Sequence, residues 1–235
     1  MIALVRYQAA ILLRSFRWIF PLILYGMLLA VGFSGQQPLA LGLDWSAAIL
    51  VPVVALLTRS MLTAEPAAAR ACVAAAAGPL RAQLSTLLAA AGGGLVLAVA
   101  GICYEVLSDM YVLGPKPGQP APGPAAKAVA ALAHPAVLSA GAGTILVCLL
   151  VGSAVGALCN PPLLRHPGTA LLGTMAAVIF AVASDVSPAG AALRGAGAAA
   201  EAPGWPVLPL LGAVVLLAVT WTASVLAAAR RTGDG

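Results

Sequence analysis

From Gln83 to Tyr104 the chain carries no charged residue. A bilayer crossing takes about 20 apolar residues, so this stretch alone is long enough to span. Further apolar runs lie at about 18–34, 46–62, 135–159, 169–184 and 206–229. With the third placed at 83–107, the runs account for six transmembrane helices with short connections. The expected fold class is therefore an all-α integral membrane protein, and residues 1–235 form a single transmembrane domain.

Composition excludes the soluble alternative. Of 235 residues, 62% are hydrophobic and 8% are charged, against about 25% charged in a soluble domain. Six spans leave no room for a separate catalytic domain. The formal charge of +5 is scattered between apolar runs, which is a pattern for membrane orientation and not for nucleic acid. Cys72, Cys103, Cys148 and Cys159 show no metal-ligand spacing and read as small reduced thiols.

Residues 1–17 precede the first run and are amphipathic. Ile2, Val5, Ala9, Leu12 and Phe16 share one helical face, and Arg6, Ala10, Arg14 and Arg17 share another. This suits a helix lying in the headgroup region; a secretory signal peptide is the competing reading. Pro21 is expected to mark the bend into the first span, and Arg59 to snorkel from the end of the second. Residues 108–127 and 185–205 read as long loops, the latter with a short helix over SPAGAALRGA.

Orientation follows from the basic residues. With the N-terminus inside, the inner segments hold Arg6, Arg14, Arg17, Arg59, Arg70, Arg81, Arg165, Arg230 and Arg231, and the outer ones only Lys116, Lys127 and Arg194. That is a positive-inside bias. It places both termini in the cytoplasm of a multi-pass protein, with a bacterial inner membrane as the expected location. Trp45, Tyr104, Tyr111 and Trp205 then gather at the outer boundary.

Little chemistry is visible inside the spans. Glu105, near the outer end of the third, could line a pathway or simply meet water at the interface. His134 and His166 have no carboxylate partner in register. Neither HExxH nor GxxxxGK[ST] occurs, so the chain is expected to be no enzyme and to hold no cofactor or metal. Small residues are plentiful instead. Gly92, Gly93 and Gly94 and the Gly152-x-x-x-Gly156 pair allow close helix approach, within one bundle or between two chains.

The longest polar interruption facing inward is 63–82, TAEPAAARACVAAAAGPLRA. Pro66 stands at a helix start, Gly78 at a stop and Pro79 just beyond. Ala-rich residues between them make a short surface helix.

With an amphipathic N-terminal helix, six spans and this helical inner loop, the chain resembles the membrane subunit of an ABC exporter of the type-2 permease class. The resemblance rests on Glu65, the small-residue helix 67–77, Gly78-Pro79, Arg81 and the aliphatic run 84–88. Pro79 and Arg81 stand closer than is common in that class, and no lysine follows Arg81. What the resemblance implies is a permease without ATP-binding residues, driven by a separate ABC ATPase that binds the ATP. Glu65, Arg70, Gly78, Pro79 and Arg81 would contact that ATPase as a coupling helix. A second permease chain, identical or not, would complete the transporter, and 185–205 would be an extracellular re-entrant element. The cargo is expected to be apolar or amphiphilic. A self-contained secondary transporter or channel, and a structural membrane subunit, remain the alternative readings.

Overall fold

A computed structural model of the chain describes residues 1–32, 39–112, 135–159, 167–198 and 205–233. Lys116, Lys127, His134, Arg165 and His166 lie outside the described residues. Among the described residues the chain is helical, without strands. The helices are α1 (Ile2–Ser15), α2 (Ile19–Gly32), α3 (Leu39–Leu62), α4 (Ala67–Ala77), α5 (Pro79–Val112), α6 (Pro135–Leu158), α7 (Pro167–Ala183), α8 (Pro188–Ala198) and α9 (Val207–Gly233).

Five helical stretches are long and apolar enough to cross a membrane: Leu39–Leu62, Pro79–Ser108, Pro135–Leu158, Gly168–Gly195 and Val207–Ala227. The bent pair α1–α2 adds a sixth if it is counted as one broken span. Alone, the 14 residues of α2 are shorter than the about 20 of a straight crossing.

The bend does not fall at Pro21. It is 75° and follows Phe16, which ends α1 in the left-handed region at φ 54°. Pro21 sits in the first turn of α2, where a backbone N–H has no intrahelical acceptor to lose. The second apolar helix also begins earlier than 46, at Leu39. Leu39, Leu41 and Leu43 are apolar enough to carry the helix through Asp44.

The core is built on α3 and α6, the most extensively packed pair. Leu50, Val51, Val53, Val54, Val147 and Val151 are fully buried between them and their neighbours. Two glycines let the backbones close. A Cβ on Gly152 would lie 2.8 Å from the Val51 carbonyl oxygen, and one on Gly156 2.8 Å from that of Ala55. The GxxxG pair is thus spent inside the bundle, where close van der Waals contact replaces the missing hydrophobic drive. Gly93 and Gly94 do the same for α5, receiving Leu57 and Val54 of α3.

By contrast α7 and α9 stand at the periphery. Leu171, Leu172, Ile179 and Phe180 of α7, and Leu208, Leu211, Val215 and Val219 of α9, are exposed. Such rows are the surface a lipid-facing helix presents. After a break at 184–187, α8 belongs to the same candidate span as α7, Gly168–Gly195, and packs on α3, α6 and α9. Ser187, Ala189 and Ala192 are its buried contacts, and an Asp185–Arg194 ion pair clasps its start.

Candidate functional site

One end of the bundle carries the connector between α3 and α5. A helix end leaves its last carbonyls without partners, and two arginines take the oxygens at and just beyond the end of α3. Arg70 Nη2 donates to the Leu62 oxygen at 2.7 Å and to the Glu65 oxygen at 3.2 Å. Arg17 Nη1, from the α1–α2 bend, donates to the Thr63 oxygen at 2.8 Å. Both cations also sit at the negative end of the α3 dipole. Thr63 closes the same turn through its hydroxyl on the Arg59 oxygen at 2.9 Å.

The connector helix α4 is framed by backbone-restricted residues. Pro66 is its N-cap, at φ −58° and ψ 147°, and its carbonyl accepts from the Arg70 N–H at 3.0 Å. Gly78 is its C-cap at φ 85°, a conformation that disfavours any residue with a Cβ. Gly78 N–H donates to the Ala74 oxygen at 2.9 Å, while its carbonyl accepts from Ala82 at 3.1 Å in the next helix. Pro79 is the first residue of α5 and not the tail of the connector. Arg81 therefore belongs to the first turn of α5.

The residues expected to meet a partner are placed differently from one another. Glu65 is buried at 9% exposure, with its Oε1 lacking a hydrogen-bond partner. Arg70 is half-buried and committed to the carbonyls of its own chain. Arg81 is exposed. So is one face of α4, formed by Ala68, Ala71, Cys72, Ala75 and Ala76. The opposite face packs on α5. The outward surface of the connector is thus a smooth apolar strip with Arg81 on the helix that follows it. Spacing of i, i+3, i+4, i+7 and i+8 was the available signal for that strip, but eight alanines among the eleven residues of α4 leave the pattern little contrast.

Beside the connector lie other buried polar atoms. Thr58 Oγ1 and Gln83 Nε2 have no hydrogen-bond partner, and neither does Nε1 of Trp221, which packs against Leu62, Leu87 and Ala157.

The other end of the bundle holds carboxylates. Glu105 of α5 rests its carboxylate against Gly42 of α3. Tyr25 of α2 is 3% exposed, with its hydroxyl against Gly101, close enough to Glu105 to feel its charge. Asp44 of α3 stands half-buried near the same end of that helix. Asp44 and Tyr25 escape a reading of the sequence that takes 35–45 as loop and Tyr25 as one more apolar residue. No group of three His, Cys, Asp or Glu able to hold a metal occurs among the described residues.

No family model, no curated protein and no solved structure matches this chain.

Proposed function

We propose that this chain is the permease subunit of an ABC exporter of the type-2 class, in a bacterial inner membrane with both termini in the cytoplasm. A separate ATPase binds and hydrolyses ATP, and a second permease chain completes the pathway. The cargo is apolar or amphiphilic. This chain contributes no catalytic residue and no cofactor site.

The observation that carries the reading is the mechanical tie of α4. Arg70 binds the connector to the end of α3, Arg17 binds the α1–α2 bend to the same turn, and Gly78-Pro79 leads directly into α5. A push on α4 from below is delivered to three elements together. In this reading 185–205 is the extracellular re-entrant element, and its helix α8 packs on α3, α6 and α9. In this reading the exposed strip of α4 and Arg81 meet the ATPase, while Glu65 and Arg70 hold the connector in shape.

The test is co-purification. The chain, isolated in mild detergent from its own host, should bring down a companion with a GxxxxGK[ST] loop. Ala75→Arg, on the exposed strip, should release that companion while the melting temperature of the chain is unchanged. Undiminished attachment would refute the docking assignment.

A second reading has its own observation. Glu105 lies against Gly42 of α3, and Tyr25 meets α5 at Gly101, one turn before Glu105; intramembrane carboxylates commonly mark ion pathways. A self-contained secondary transporter or channel would lose activity on Glu105→Gln and ignore changes on α4.

A further inference from the structure

Beneath α1 lies a crevice of about 440 Å³, within the range of small-molecule sites. Val5 and Leu12 of α1 roof it, Trp18 closes the bend side, Leu57 and Met61 of α3 form the floor, and Gly92 of α5 lies on its open side. No charged side chain lines it. Leu57 and Met61 are buried, whereas Leu13, Leu88 and Val96 at its margin are exposed, so it opens on the outside of the bundle. Its lining is almost wholly apolar, so water finds few of the two or more polar partners it needs to stay there.

Charge says what kind of hydrocarbon enters. Arg6 and Arg14 lie along α1 next to the crevice residues Val5, Ala9 and Leu13, both exposed. Neither makes an ion pair with any described residue. α1 is bent 75° from the helix that follows it; lying along the bilayer surface, it would hold these cations at headgroup level and the crevice at acyl level. Gln8, on the buried side of the same helix at 2% exposure, has its Nε2 without a partner.

We propose that this crevice is a binding site for one anionic phospholipid, an acyl chain lying under α1 and the phosphate between Arg6 and Arg14. The site does not depend on the exporter reading, and it would tie the α1–α2 bend to the leaflet on that side. Protein partners are disfavoured by the same features. A second copy of the chain would have to bring carboxylates to these arginines and a side chain into a slot shaped by α1.

The experiment uses the purified full chain and two probes, palmitoyl-oleoyl phosphatidylglycerol and the matching phosphatidylcholine. Native mass spectrometry reads the lipid retained per chain. One phosphatidylglycerol should be held in preference to phosphatidylcholine. Arg6→Gln with Arg14→Gln should erase that preference, at about fivefold for each arginine removed. Gly92→Leu should lower retention of both lipids without lowering the melting temperature, because a Cβ at Gly92 meets nothing within 4 Å. Val96→Trp, at the exposed margin, repeats the occlusion at another position. Equal retention of the two lipids by the unaltered chain would overturn the proposal. So would full retention in both occluded variants, or a disulfide between two copies carrying Gly92→Cys.

Discussion

The two ends of this bundle solve the problem of charge near lipid in opposite ways. At the connector end, cations are given backbone carbonyls: Arg70 takes the last oxygen of α3, and Arg17 that of Thr63 just beyond it. At the far end, carboxylates are tucked against small or aromatic neighbours, Glu105 on Gly42 with Tyr25 nearby. The first arrangement stiffens a joint between elements. The second leaves acidic groups poised within the helices. On the exporter proposal mechanical input enters at the connector, whereas the secondary-transporter reading puts its ion-linked step at the opposite end.

The spine that joins the ends should show the largest effect. Gly156→Leu drives a side chain into the Ala55 carbonyl and Thr58, and overpacking of this kind costs about 3 kcal/mol. Thermal melting in detergent should fall accordingly, with both ends affected alike. A variant as stable as the parent would mean that α3 and α6 do not meet as described.

Arg70→Ala should come next and should divide the ends. It removes charge-assisted bonds to two carbonyls, of which about 1–2 kcal/mol remains after allowing for a half-exposed side chain. Hydrogen exchange should rise across 63–78 and stay unchanged in α8. Arg17→Gln, at an exposed position, should loosen the same turn by a smaller amount, about 0.5 kcal/mol. If α8 loosens as much as α4, the joint is not local.

Glu105→Gln should have the smallest effect on an ATP-driven activity, with transport kept within about twofold. Loss of transport there, with Ala75→Arg silent, would reverse the functional contrast between the ends. Cys72 supplies the orientation. Exposed on α4, it should react with an impermeant thiol reagent in inverted vesicles and not in intact cells.

Much of this architecture was legible in the sequence because apolar run length and helix crossing are set by the same bilayer. The connector was legible for a related reason: Pro66 and Gly78 restrict φ, and those restrictions are local. What escaped depends on tertiary contact. Nothing in the letters says that Arg70 folds back to cap α3 and not outward, or that Glu65 is buried. The bend at Phe16 was missed because a proline five residues on is the commoner cause of a kink, whereas the left-handed residue that ends α1 has no such signature. Asp44 was hidden by the habit of ending a span at the first charge, although three leucines before it sustain the helix. For the GxxxG pair, spacing alone left its partner open, and only the approach of α3 decides it.

The most direct measurement is transport by the purified chain in liposomes, with and without the proposed companion ATPase and ATP. The account predicts movement of an amphiphilic cargo only when both are present, abolished by Ala75→Arg. Movement by the chain alone, powered by a proton or sodium gradient, would contradict it.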